Sequence, residues 1–336
     1  LKIIAYFCFR NIEGLKRLKQ NMKSPRLSIV VPCFNEELIL KETAGILIHL
    51  TNQLVEEGRV AADSYILFVN DGSGDNTWDL IRHLHEKDNR VKGLNLSINS
   101  GQQNALMAGL LQAGNRSNVV ISIDADLQDD VNCIREMLDA YQQGVDIVYG
   151  IRRSRKKDTF FKRTTAHMFY RCMTLMGAKT IYNHADFRLM SNSAIRLLEE
   201  YPERNLFLRG IIPQLGCNAA YVYYDRNERN GGTTKYSLHK MFNFAVDGIT
   251  SFSIRPLRLI ASLGFLFLFC SLIAIGYTLY SWFGGETVAG WASLMISVWF
   301  LGSLILIAIG IAGEYVGKIY LEVKQRPRYH IEEYLD

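Results

Sequence analysis

From Leu27 onward the chain alternates short apolar runs with stretches whose apolar residues recur three and four positions apart. Leu27–Cys33 and Tyr65–Asn70 are nearly unbroken runs of apolar and β-prone residues, the pattern of strands buried on both faces. Val91–Leu96 reads as a third strand, and 36–57, 77–85 and 102–112 read as helices. A run beginning at Val119, a helix over 130–143 and a strand over 145–149 continue the series. Strands alternating with helices of this length predict an α/β domain with a parallel, doubly wound sheet. No G-x-G-x-x-G accompanies it. Polar residues gather instead where strands end, at Asn35-Glu36, Asp71-Gly72-Ser73 and Asn99-Ser100-Gly101-Gln102. Ligands of open α/β sheets collect beyond the carboxyl ends of strands, so these loops predict a pocket along one sheet edge.

The fourth run carries the sharpest chemistry. Val119 to Ile123 leads straight into Asp124-Ala125-Asp126-Leu127-Gln128-Asp129. Continued alternation sends Asp124 and Asp126 to one side, with Gln128 extending the row. Two carboxylates and an amide oxygen form a hard-ligand site for Mg²⁺ or Mn²⁺. The ordinary alternative is an aspartate capping the following helix. Arg152-Arg153-Ser154-Arg155-Lys156-Lys157 follows the fifth strand, where guanidinium forks could meet phosphates; such runs are otherwise solvated faces. The stretch 160–175 mixes aromatic and basic residues, as an interfacial or a core-facing helix would. Residues 183–190 form a polar cluster opening into an apolar run, in which Asp186 reads as a cap or an ion-pair partner. A further strand over 221–224, a basic loop over 226–235 and a surface helix over 236–252 follow.

Two apolar runs, 257–283 and 291–312, then exceed or match the ~20 residues that a helix needs to cross a bilayer. Only seven residues, 284–290, without Lys or Arg, separate them. Arg255 and Arg258 flank the start of the pair, and Lys318, Lys324, Arg326 and Arg328 follow it. The positive-inside rule therefore predicts a membrane hairpin with both termini in the cytoplasm, and Tyr280, Trp282 and Trp291 suit the outer aromatic belt. A helical hairpin buried in a soluble protein is the alternative. Basic residues flanking this segment contribute to the net charge of +5, pointing to membrane contact, and no nucleic-acid fold signature occurs. The six cysteines are scattered, as in a reduced compartment. Residues 1–25 read as a basic, amphipathic extension that could lie on a membrane or dock on the domain.

Pro32-Cys33-Phe34-Asn35-Glu36-Glu37, Val69-Asn70-Asp71-Gly72-Ser73 and Asp124-Ala125-Asp126-Leu127-Gln128-Asp129 together resemble the signature of family 2 glycosyltransferases with a GT-A fold. Arg152-Arg153-Ser154-Arg155, Ala185-Asp186-Phe187-Arg188-Leu189-Met190 and Thr234-Lys235-Tyr236-Ser237, with residues 243–253, narrow the resemblance. They are similar to bacterial polyprenyl-phosphate glycosyltransferases, relatives of dolichyl-phosphate mannose synthase that include the bactoprenol glucosyltransferases. The likeness covers about 27–328. Four residues depart from the common pattern: Gln102 and Gln103 where Lys or His is frequent, Asn70 where an acid is, and Ala185 where Gly is.

The resemblance implies an inverting transfer of one sugar, glucose by the nearest likeness, from a UDP-linked donor to a polyprenyl phosphate such as undecaprenyl phosphate. The expected setting is the cytoplasmic face of a bacterial inner membrane, in a multi-pass protein serving cell-envelope glycan modification. It assigns Pro32, Phe34, Glu36, Asp71, Asp124, Ala125, Asp126, Arg229 and Lys235 to the nucleotide sugar. Arg152, Arg153, Lys162 and Arg163 fall to the acceptor phosphate, and Asp124, Asp126 and Gln128 to Mg²⁺ or Mn²⁺. Asp186 becomes the candidate base, with Asp126 beside it in the chemistry. The implied domains are a GT-A unit over 26–230, interface helices over 231–256, a hairpin over 257–316 (spans 257–283 and 291–313) and a tail over 317–336. Self-association stays open. A processive polysaccharide synthase and a catalytically silent membrane scaffold are the competing readings. The first is disfavoured because no Arg-Trp pair occurs.

Overall fold

The computed structural model describes residues 24–153, 184–204, 206–225, 255–283 and 290–336. Residues 1–23, the interfacial stretch with Lys162 and Arg163, the loop with Arg229 and Lys235, the interface helices and the 284–289 connection lie outside the described residues.

The strands are β1 (Leu27–Cys33), β2 (Tyr65–Asn70), β3 (Val91–Leu96), β4 (Val119–Ser122), β5 (Ile147–Arg152), β6 (His184–Ser191), β7 (Ala219–Tyr224) and β8 (Ile331–Leu335). They form one sheet of order β7-β5-β6-β4-β1-β2-β3-β8. The expected parallel core is present: β4, β1, β2 and β3 run parallel in adjacent positions. The helices are α1 (Leu40–Glu56), α2 (Thr77–Lys87), α3 (Gln102–Gly114), α4 (Cys133–Gln142), α5 (Asn192–Glu199), α6 (Leu208–Ile211), α7 (Arg255–Phe283) and α8 (Trp291–Lys324). The helix expected from residue 36 starts at Leu40, after a turn in which the Glu36 carbonyl accepts from the Ile39 and Leu40 N–H groups.

Alternate residues of β1 enter opposite cores. Leu27, Ile29, Val31 and Cys33 pack with α1 and α4, while Val30 packs with α3 and α5. Each fully buried Leu, Ile or Val side chain contributes about 1.5–3 kcal/mol. This two-sided burial is what makes the strands read as continuous apolar runs. Close approach of α3 needs Gly109, where a Cβ would come within 2.4 Å of Val30 Cγ1 and 2.8 Å of Val69 Cγ2.

Two strands were not expected. The polar cluster around Asp186 is β6, inserted antiparallel between β4 and β5, so β5 does not extend the parallel series directly. Its alternation is real but disguised. Ala185, Phe187 and Leu189 join one core, while Asp186 and Arg188 occupy the other face as a buried ion pair. The segment read as a tail ends in β8, which pairs antiparallel with β3 from Leu96 to Gly93. Side chains fasten it: Trp78 Nε1 donates to Glu333 (3.3 Å), Asn95 Nδ2 donates to Glu332 (2.9 Å), and Lys92 and Arg116 pair with Asp336.

Both apolar runs are helical, and the Phe267 and Phe300 rings meet edge-on at 6.3 Å between α7 and α8. Among the described residues one segment, Phe300–Lys324 of α8, is long and apolar enough to cross a membrane. The last turn of α8 is tied to the α/β domain. The Glu322 carboxylate accepts from the Arg204 N–H (2.8 and 2.9 Å), and Arg328 donates to the Tyr201 carbonyl (2.6 Å). Leu208, just beyond, donates its N–H to Gln103 at the start of α3 (3.0 Å), and β8 begins opposite the last residue of β3. The end of α8 therefore lies at the carboxyl edge of the parallel strands.

Candidate active site

The loops at that edge are laced to one another. Asn35 adopts a left-handed backbone (φ 56°) at the end of β1. Its N–H donates to Ser73 Oγ (3.0 Å) and its Oδ1 accepts from Gly74 N–H (2.9 Å), while Glu36 N–H reaches Thr77 Oγ1 (3.0 Å). Asp71, buried at the end of β2, accepts from the Ser100 and Gly101 N–H groups (2.7 and 3.0 Å). Burial raises its pKa against the pull of those two donors. Gly72 (φ 61°) has no room for a side chain, since a Cβ would lie 2.4 Å from the Asn99 nitrogen. Pro32 is half-buried in β1, and Phe34 stands 47% exposed just beyond the end of that strand.

The Asp-x-Asp segment is not strand. β4 stops at Ser122, Ile123 N–H still bonds the Val30 carbonyl (3.1 Å), and a turn then closes from Leu127 N–H to the Asp124 carbonyl (3.2 Å). Leu127 is left-handed (φ 42°), so the turn, and not the pleat invoked from sequence, disposes the carboxylates. Thr43 of α1 clamps it by donating to the Ala125 carbonyl (2.6 Å). Ala125 is buried between half-buried Asp124 and Asp126, whereas Gln128 and Asp129 are buried. Asp124 accepts from the Gln102 amide (3.0 Å). Burial, with Asp186, Asp129 and Asp126 nearby, pushes its pKa up to about 7. Such a carboxylate beside a second one suits a hard divalent cation that takes substrate phosphates and waters as further ligands. Among the described residues no group of three His, Cys, Asp or Glu side chains is placed to hold an ion unaided.

Beneath this pair lie acids already matched to arginines. Arg152 donates to Asp129 Oδ1 from Nε (3.2 Å) and Nη2 (2.9 Å), and the Tyr224 hydroxyl donates to the same oxygen (2.6 Å). Arg153 is tied by its N–H to the Tyr224 carbonyl (2.8 Å). Asp186, 3% exposed, takes Arg209 Nε on Oδ1 (3.2 Å) and Nη2 on Oδ2 (2.9 Å), and also pairs with Arg188. Arg188 is wholly buried, and burial lowers its pKa. Its Nε and Nη1 find no hydrogen-bond partner among the described residues. The structure thus gathers Asp71, Asp124, Asp126, Asp186 and Arg152 at one edge. It adds Gln102, Asp129, Arg209 and Tyr224, which the motifs did not assign. In the sequence Gln102 stands out only as a departure from the common pattern. Arg209 stands on a four-residue helix with no periodicity to betray it, and only tertiary contacts bring it in.

Residues 28–198 match Glycosyl transferase family 2. An uncharacterized glycosyltransferase of Bacillus subtilis, YkoT, is 56% identical over 92% of this chain and 91% of its own length. The bactoprenol glucosyl transferase of Shigella phage SfII is 38% identical over 92% of this chain and 98% of its own. Among solved structures, the mannosyltransferase PcManGT from Pyrobaculum calidifontis, in complex with GDP-Man and Mn²⁺, aligns at TM-score 0.45 and 16% identity. That alignment covers 93% of this chain and 92% of that one. The mixed α/β, mostly parallel fold is GT-A-like. This chain belongs to glycosyl transferase family 2 and is a glycosyltransferase.

Proposed function

We propose that the protein transfers a single glucosyl unit, with inversion, from UDP-glucose to a polyprenyl phosphate such as undecaprenyl phosphate. The product would be a membrane-bound sugar donor for modification of the cell envelope. Relatives named bactoprenol glucosyl transferase, aligned over nearly all of their length, support the acceptor class and the sugar. One observation carries the reading. The half-buried carboxylate pair and the end of the apolar helix α8 share one sheet edge. A water-soluble donor and a lipid headgroup can meet only where a pocket opens at the bilayer surface.

The residues divide the work. Phe34, Pro32, Glu36 and Asp71 hold the nucleotide, with Ala125 leaving room between the acids, and Arg229 and Lys235 close over the diphosphate. Asp124 and Asp126, with Gln128, would hold Mg²⁺ or Mn²⁺, which when bound supplies Lewis-acid stabilisation of the departing diphosphate. Arg152, Arg153, Lys162 and Arg163 hold the acceptor phosphate. That nucleophile is anionic near neutral pH, so it needs alignment more than activation. Asp186 acts on it, by orienting or deprotonating it, and attack is direct. The α7–α8 pair, with the preceding interface helices, anchors the 26–230 domain to the cytoplasmic face. Radiolabelled UDP-glucose mixed with membranes, undecaprenyl phosphate and Mg²⁺ or Mn²⁺ should give label that partitions into organic solvent. Label that stays aqueous with every UDP- and GDP-sugar donor would remove the reading.

A further inference from the structure

We infer that Arg209, set in place by Asp186, binds a phosphate oxygen of a substrate, and that Asp186 is a positioning residue acting through it. The inference rests on the transfer reading above and resolves how Asp186 serves it. Asp186 is nearly buried, and both carboxylate oxygens face guanidinium groups. A reacting acceptor would have to displace those donors to leave a proton there. Arg209 is different: its side chain is 31% exposed, and Asp186 grips it along the Nε–Nη2 edge. Its place is set twice over. The first N–H of α6 bonds Gln103, whose neighbour Gln102 bonds Asp124, so Arg209 is indexed to the same turn of α3 as the acid pair.

Arg152 repeats the device. A buried aspartate, Asp129, takes its Nε and Nη2, and the side chain is 23% exposed. Two guanidinium groups, each held from behind by a buried carboxylate, thus stand at the edge that carries Asp124. A fork fixed in advance gives up less freedom on meeting phosphate than a mobile one. The phosphate could belong to the departing nucleoside diphosphate or to the lipid acceptor, and the two arms of the test separate these.

The full chain in detergent is assayed with UDP-glucose, undecaprenyl phosphate and Mn²⁺, alongside calorimetric binding of UDP with Mn²⁺. Arg209→Gly takes two donors from buried Asp186 and should lower the unfolding midpoint, yet leave a folded chain in which one constant rises about 10- to 100-fold. A weaker UDP affinity places the contact on the donor, and a raised KM for undecaprenyl phosphate places it on the acceptor. Added guanidinium ion should restore part of the loss. Asp186→Asn should cost several-fold in the wild-type background and almost nothing more in Arg209→Gly. Unchanged UDP affinity and unchanged KM values in Arg209→Gly would overturn the inference. So would an Asp186→Asn variant that loses kcat equally in both backgrounds with an altered pH profile, which would make Asp186 the base. If Asp186→Asn does not fold, the guanidinium rescue and the constants of Arg209→Gly decide. If the wild type binds UDP but leaves undecaprenyl phosphate unglycosylated, the transfer reading falls alone, and unchanged UDP affinity in Arg209→Gly overturns this inference. A wild type that binds no UDP overturns both.

Discussion

The acids at the sheet edge fall into two layers with opposite electrostatics. In the inner layer, Asp129 and Asp186 are buried and each is met by guanidinium donors within the chain. In the outer layer, Asp124 is half-buried and meets a neutral amide, and burial with its neighbouring carboxylates pushes its pKa up to about 7. Charge is balanced inside the protein in the first case and left to be balanced from outside in the second. The contrast separates residues that build the site from residues that wait for something to enter it.

The largest break should come from the inner layer. Arg188→Met breaks a fully buried pair and leaves Asp186 to Arg209; breaking such a pair typically costs about 3–5 kcal/mol. Chemical denaturation of the solubilised chain should show that loss, with activity lost through instability. A loss under about 1 kcal/mol would mean that Asp186 is adequately served by Arg209. In the outer layer the effect should move from stability to turnover. Asp126→Asn should lower kcat by on the order of 100-fold, as loss of one electrostatic contributor to a transition state does, with no drop in the unfolding midpoint. A parallel fall in both quantities would place Asp126 with the structural acids.

The third test sharpens the contrast through pH. Asp124 in the folded chain holds its proton up to about 7, against an ordinary carboxyl value of 3.8. Below the ordinary value both folded and unfolded chains are protonated and the group contributes nothing. Between there and about 7 the unfolded chain sheds its proton first, so the cation-free fold loses stability as pH rises; above 7 the whole penalty stands. Mg²⁺ or Mn²⁺ should therefore raise the unfolding midpoint more at pH 8 than at pH 6. Asp124→Asn should flatten both the pH trend and the cation effect. An equal cation effect at the two pH values would detach the ion from Asp124.

How far the sequence disclosed this follows from which interactions are local. The buried strands β1, β2 and β4 announce themselves because both faces are covered, and the acids after β4 stand where a parallel sheet puts its ligands. β6 hid because its inward polar residues, Asp186 and Arg188, satisfy each other two positions apart, which breaks the apolar run without breaking the strand. β8 hid because its partners, Lys92, Arg116, Trp78 and Asn95, lie more than 200 positions away in the chain. Arg209 had no local signal at all, since a contact between α6 and α3 brings it in. Pattern reading finds what periodicity records, and it misses what a distant carboxylate arranges.

The smallest expected effect concerns the joint between α8 and the α/β domain. Glu322 bonds the Arg204 N–H through both carboxylate oxygens at the end of the apolar helix. This is one half-exposed, charge-assisted contact, and β8 holds the same region to the sheet, so Glu322→Ala should cost no more than about 1 kcal/mol. Its value to the comparison is directional. If the sheet edge is held against a bilayer by this joint, loosening it should raise the KM for a membrane-embedded acceptor severalfold while leaving UDP affinity unchanged. An equal change in both constants would show that the joint shapes the nucleotide wall instead, and an unchanged acceptor KM would mean that β8 alone sets the docking.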